Sequence, residues 1–162
     1  MGKVTPICVV PLGERPAVVP TLATWLYEQW GYFHDHDSVE RRIEELNGRL
    51  QTDRVPVAFV ALSSDVPDAI PIGTASLTAD DLDTRPDLTP WLASVFVAHQ
   101  FRRDGVGAAL VRAVVAHAKT LGIRTLYLFT EDRTEFYARL GWTVFEQENY
   151  RGHRVTVMKI AP

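Results

Sequence analysis

Residues 102–122 read RRDGVGAALVRAVVAHAKTLG, and the fold turns on what the opening of this stretch is for. Two arginines and an aspartate lead into Gly105 and Gly107. Val106, Leu110, Val111, Val114, Val115, Ala118 and Leu121 then recur at helical spacing, and Gly122 is placed as the C-terminal glycine. A helix N-terminus presents unpaired N–H groups and a partial positive charge. Glycine there removes the Cβ that would hold a phosphate away from the backbone. Arg102 and Arg103 add charge beside it. Residues 102–108 therefore form a candidate pyrophosphate cradle. A glycine-containing turn with solvated arginines is the plainer reading of the same residues.

The elements on either side place this helix in one mixed α/β layer fold. Ile7 to Val10 reads as a strand, and residues 16–30 as a helix with Pro16 and Pro20 near its start, ended by Gly31. Asp37-Ser-Val-Glu40 has capping-box spacing, with Asp37 leading, and opens a second helix to about Leu50. Val55–Leu62 and Ile72–Leu77 are expected to form a hairpin across the turn-rich SSDVPDA, and Trp91–Val97 is the strand before the glycine turn. Arg124–Phe129 is a strand and Glu131–Leu140 a short helix ended by Gly141. Trp142–Glu146 and Val155–Ile160 are the last strands. The expected sheet is largely antiparallel, with helices packed on it. No composition break divides the chain, so residues 1–162 are read as one domain.

Composition narrows the function. The chain has 162 residues, 46% hydrophobic and 23% charged, ordinary values for a soluble globular domain. No apolar run approaches the ~18–20 residues of a membrane helix, and the N-terminus lacks a signal-peptide pattern. Cys8, the one cysteine, makes no internal disulfide and reads as a small buried hydrophobe. These features fit a reducing cytoplasm. A formal net charge of −3 with no long basic run excludes nucleic acid as an expected partner.

Three phosphate-binding motifs compete for the glycine turn. Walker A needs Lys-Ser/Thr after its last glycine, whereas Ala108-Ala109 follows Gly107. Gly105-Val-Gly107-Ala-Ala-Leu110 matches the dinucleotide fingerprint except at its last place, but the polar link HQFRRD separates it from the preceding strand. The third motif fits best. VAHQFRRDGVGAAL resembles motif A of the GCN5-related N-acetyltransferase (GNAT) superfamily, with Arg102-Arg-Asp-Gly105-Val-Gly107 on its Gln/Arg-x-x-Gly-x-Gly/Ala core. LYLFTEDRTEFYARLGW, residues 126–142, is similar to motif B, with Phe136-Tyr137-Ala-Arg-Leu140-Gly141-Trp142 on its ending. Two departures stand out: His99 where many relatives have proline, and Thr130 where many have asparagine.

The resemblance, to small bacterial-type members, implies a single-domain GNAT fold with a splayed strand pair. It implies that acetyl-CoA is the cofactor, with no metal. Phe96, Val97 and Arg102, Arg103, Asp104, Gly105, Val106, Gly107 and Ala108 are the expected cofactor-binding residues. A main-chain N–H at Phe96 or Val97 would meet the thioester oxygen. Tyr137 would stand beside the cofactor sulfur, as a phenol that keeps its proton at neutral pH and protonates the departing thiolate. Relatives are often dimers, which raises a homodimer here without naming an interface.

Beyond the resemblance, the residues leave choices open. Glu131, between a strand and a helix, is the first candidate base; Glu28, Asp80, Asp81 and His99 are alternatives. The acceptor is an amine of a small molecule or a peptide or protein, expected between the first two helices and the loop after Leu77. Trp25, Trp30 and Phe33 there are candidate substrate-binding residues. With Asp35, Asp37, Asp80, Asp81 and Asp83 they would suit an ammonium-bearing acceptor. The alternating HDHD of residues 34–37 makes a poor metal cage on a loop. A non-catalytic acyl-CoA-binding module on the same fold is the rival reading.

Overall fold

The computed structural model describes residues 6–64 and 67–162. The readings placed on residues 1–5, and on Asp65 and Val66 of the hairpin turn, lie outside the described residues. Seven strands form one sheet: β1 (Cys8–Pro11), β2 (Val57–Leu62), β3 (Pro71–Thr78), β4 (Trp91–Val97), β5 (Leu126–Thr130), β6 (Thr143–Tyr150) and β7 (His153–Ile160). Their order is β1-β2-β3-β4-β5-β7-β6. Every neighbouring pair is antiparallel except β4 and β5. The helices are α1 (Val19–Trp30), α2 (Val39–Asn47), α3 (Val106–Thr120) and α4 (Thr134–Arg139).

Strand β2 shows how the layers are built. All its residues are buried, and successive side chains go to opposite faces. Val57, Phe59 and Ala61 join Leu110, Val111 and Val114 of α3, while Ala58, Val60 and Leu62 join Leu22 and Leu26 of α1 and Leu46 of α2. A run apolar on both faces is what a sheet covered by helices on each side requires.

Several boundaries differ from the sequence reading, each for a local reason. Residues 16–18 form a 3-10 turn, and the α-helix begins at Val19, with Pro20 in its first turn. Ser38, rather than Asp37, caps α2: its hydroxyl accepts from Arg41 N–H at 3.1 Å. Asp37 instead pairs with Arg42, whose Nε and Nη2 donate to Oδ2 at 3.0 and 2.8 Å. Helix α4 starts at Thr134 because Thr130 Oγ1 accepts from Arg133 N–H at 3.0 Å and holds residues 131–133 in a turn. The last two strands are longer than expected. Arg151 and Gly152 take φ of 50° and 82°, as a tight hairpin turn demands, and pairing runs on to Tyr150↔His153. Residues 147–149 are polar because β6 is an edge strand with a solvent face, Arg151 and Gly152 form the turn, and His153 and Arg154 open β7.

Candidate functional site

A cleft opens where β4 and β5 part. They are parallel and share one pair in register, Trp91↔Tyr127, supported by Tyr127 N–H donating to Pro90 O at 3.1 Å. Beyond it β4 turns away. Its register with β3 passes from Ser76↔Ala93 to Thr74↔Phe96, so Ser94 and Val95 together oppose Ala75. This is a β-bulge, with Ser94 at φ 55°. The cleft encloses about 1240 Å³ between the β4 edge, the β5–α4 segment and the α1–α2 loop.

Beyond the bulge, main-chain groups alternate between β3 and the cleft. Ala98 N–H donates to Ile72 O at 2.9 Å, on the β3 side. Val97 therefore turns its N–H and C=O to the cleft, and Phe96, in register with Thr74, turns its own to β3. Of the two residues expected to meet a thioester oxygen, Val97 has the cleft-facing amide. Phe96 contributes its ring instead, 5.5 Å from Trp25 and 6.3 Å from Trp30.

At one end of the cleft lies the glycine turn. Arg103 and Gly105 take φ of 69° and 84°, and Gly105 is the N-cap of α3. The first helical bond runs from Ala109 N–H to Gly105 O at 3.1 Å, so the amides of Val106, Gly107 and Ala108 precede it and have no intrahelical acceptor. Buried Val106 anchors the turn in the core. Gly107 serves close packing: a Cβ there would lie 3.3 Å from Phe136 Cζ. Arg102, Arg103, Gly105, Val106, Gly107 and Ala108 line the cleft, with Arg133 and Arg139 of the α4 segment. Exposed Asp104 sits on the turn outside that lining. The lining carries six arginines against three carboxylates, so the cleft is cationic on a chain of net charge −3. Such a wall, with free helix amides, fits a diphosphate-bearing ligand.

The other end is aromatic. Trp30 and Phe33 line it, together with Tyr32 and Tyr150, while Tyr137 lines the cleft from α4 beside Phe136. Trp25 is not in that lining and packs on Phe96 instead. Tyr137 is buried, with Phe136 and Trp142 edge-on to its ring at 5.0 and 6.2 Å. Burial pushes its phenol up to about 12. Glu131 stands at the rim, its Oε2 3.5 Å from His153 Nδ1, and it helps burial raise the Tyr32 phenol. Asp81 lines the cleft from the loop after β3, and desolvation pushes its carboxyl up to about 7 against the pull of Arg49 and Arg42.

Two of the aspartates expected at this end are engaged by arginines. Asp37 is bound to Arg42, and Asp83 pairs with Arg151 at 2.9 Å. Among the described residues no group of three or more His, Cys, Asp or Glu side chains converges as a metal site would. None of their helices is long and apolar enough to cross a membrane. Sequence reasoning passed over Arg42, Tyr150, Ser94 and Arg154, which reach the cleft from four separate elements or loops. The lone cue was Ser94, a polar residue inside an apolar strand.

Residues 19–142 match the family model described as Acetyltransferase (GNAT) family. The chain belongs to the GNAT family. It is 31% identical over 135 residues to N-alpha-acetyltransferase 80 of Mus musculus, covering 82% of this chain and 40% of that protein. It is also 31% identical over 94 residues to CgeE of Bacillus subtilis (strain 168), named an uncharacterized N-acetyltransferase, covering 56% of this chain and 35% of that one. The GNAT chain described here thus spans well under half the length of both curated relatives. In fold it is similar to an aminoglycoside 6'-N-acetyltransferase complexed with coenzyme A, with a TM-score of 0.73 at 16% identity, over 95% of this chain and 96% of that one.

Proposed function

We propose that this GNAT chain is an N-acetyltransferase that carries the acetyl group of acetyl-CoA to a primary amine of a small molecule, peptide or protein. The amine attacks directly while both substrates occupy the cleft. One observation carries this reading: β4 and β5 share a single register pair, and the opening beyond it joins a phosphate-type cradle to an aromatic pocket. The amides of Val106, Gly107 and Ala108, with Arg102 and Arg103, hold the diphosphate. The open edge of β4 at Val97 aligns the pantetheine arm as an added strand would be aligned, and its N–H is aimed where thioester oxygen gains charge. When bound, acetyl-CoA supplies an activated acyl group and a leaving thiolate.

Tyr137 acts on that thiolate. A phenol held at about 12 stays protonated across the working pH range. Proton transfer from it to a thiolate whose conjugate acid lies near ~8.5 is uphill at equilibrium. Its contribution is therefore a hydrogen bond that strengthens as the sulfur gains charge, with the proton following as the thiolate leaves. Trp30 and Phe33 supply the walls against which the acceptor lies.

Two kinds of acceptor are suggested by the relatives: amino groups of aminoglycosides from the structural neighbour's name, and protein α-amines from the mouse relative's name. A screen with acetyl-CoA decides between them by reading CoA thiol release across polyamines, aminoglycosides, amino acids and peptides with free N-termini. Turnover with an amine is the expected result. Tight CoA binding with no release from any acceptor would favour a non-catalytic acyl-CoA-binding module.

A further inference from the structure

Resting on the acetyltransferase reading, we infer that Asp81 is the base that takes the proton from the acceptor ammonium, in place of Glu131. Thr78 Oγ1 donates to Asp80 O at 3.0 Å, fixing the turn at the end of β3, and Leu82 is fully buried in the cluster around Trp91. Asp81 is held between these two anchors and lines the same cleft as Ser94, Val97, Tyr137 and Trp30. It lies close enough to Tyr137 and Tyr150 for its charge to raise both phenols.

The Asp81 carboxylate is also uncommitted. Among the described residues it makes neither a hydrogen bond nor an ion pair. The charged groups facing it are Arg42 and Glu45 of α2 and Arg49 just beyond that helix. Arg42 is already engaged by Asp37, and Arg49 by Ser76 at 3.1 Å and Glu45 at 3.8 Å. The arginines limit the rise caused by burial without neutralising the carboxylate. A group at about 7 is half ionised at neutral pH, where a base serves best. Glu131, by contrast, faces His153 and Tyr32 at the rim.

The ammonium gives one proton to Asp81, and the freed lone pair forms the C–N bond to the acetyl carbon. The C–S bond breaks with its electron pair on sulfur, which receives the Tyr137 proton. The second proton lost by the new amide nitrogen restores Tyr137 through water in the cleft, and Asp81 releases its own to solvent.

The test combines a ¹³C carboxyl titration of labelled wild type and Asp81→Asn with pH profiles of CoA release for both and for Glu131→Gln. Spermidine, kanamycin and a short peptide with a free N-terminus are the acceptors. One carboxyl titrating near 7 in wild type and missing from Asp81→Asn is expected. So is a wild-type kcat/KM that falls on the acid side of about pH 7, with a loss of roughly 10²-fold or more in Asp81→Asn at that pH. Unchanged CoA affinity by calorimetry would show that the variant is folded. Loss of the acid limb in Glu131→Gln but not in Asp81→Asn, or absence of any carboxyl titrating above pH 6, overturns the assignment. If wild type binds CoA yet acetylates none of the three acceptors, it is the transferase reading that fails, and the base falls with it.

Discussion

The Nε of Arg102 donates to the carbonyl of Val97 at 3.0 Å, while its guanidinium stands 5.7 Å over the Phe96 ring. The first arginine of the glycine turn thus occupies the cleft-facing carbonyl of β4, on the edge where, in the proposed function, a pantetheine arm would lie. A diphosphate arriving at the turn would draw the arginine toward it and free the carbonyl. Arg102→Ala is expected to weaken CoA binding by about 10–10²-fold, the order of one charge-assisted hydrogen bond, and to flatten its salt dependence. Binding of acetyl-pantetheine, which has no diphosphate, should hold or improve. Calorimetry with both ligands checks the pair. Parallel losses would mean that Arg102 and the arm do not compete.

Gly105 and Gly107 should respond differently to alanine. Gly105 has φ 84°, a left-handed conformation that costs a residue with Cβ roughly 1–2 kcal/mol. The same change pulls the turn amides out of line, so lower Tm and a higher KM for acetyl-CoA are expected together. At Gly107 the new methyl would meet Phe136 Cζ at 3.3 Å, beside Tyr137. There kcat should fall more than cofactor affinity. Thermal melts with steady-state kinetics on the two variants would reveal whether the glycines do separate work.

Removing the phenol tests the leaving-group role. Tyr137→Phe keeps the ring in its packing against Phe136 and Trp142. It is expected to lower kcat by about 10–10²-fold with little change in KM for acetyl-CoA. Because burial holds the wild-type phenol at about 12, no alkaline loss from its ionisation should appear below roughly pH 11. An unaltered kcat in the phenylalanine variant would assign the tyrosine to packing alone.

Asp81 also carries a stability signature, whatever its chemistry. Its folded-state pKa of about 7 lies above the ordinary aspartate value, so between the two the native state binds more protons than the unfolded one. Stability therefore falls as pH rises through that window. Asp81→Asn removes this penalty. Its Tm should exceed wild type at pH 8, and the gap should close as pH drops toward 4. Denaturation series at several pH values would show it, and a gap independent of pH would place the carboxylate in ordinary solvent.

Much of this architecture was readable along the chain. The helical period after Gly105, the two-sided apolar run of β2 and the Phe136–Trp142 ending each act over a short stretch, where local pattern and local structure coincide. The polar residues 147–149 misled for the opposite reason. An edge strand keeps a solvent face, and it is cross-strand pairing with β7, not hydrophobicity, that makes it a strand. Trp25 and Trp30 read alike in α1, yet only Trp30 lines the cleft, because side-chain direction on a helix is resolved only by what packs against it.

By itself the sequence determined the order of elements, the glycine turn and the family, since each depends on residues close in the chain and on conformations that glycine and helical spacing impose directly. Tertiary structure alone decided which carboxylate lining the cleft is left without an ion pair among the described residues. Asp37 and Asp83 met arginines, Glu131 met His153, and Asp81 was left desolvated and unpaired between α2 and the cleft. A carboxylate's charge and basicity depend on burial and on neighbours brought from distant segments, and neither is written in its local sequence.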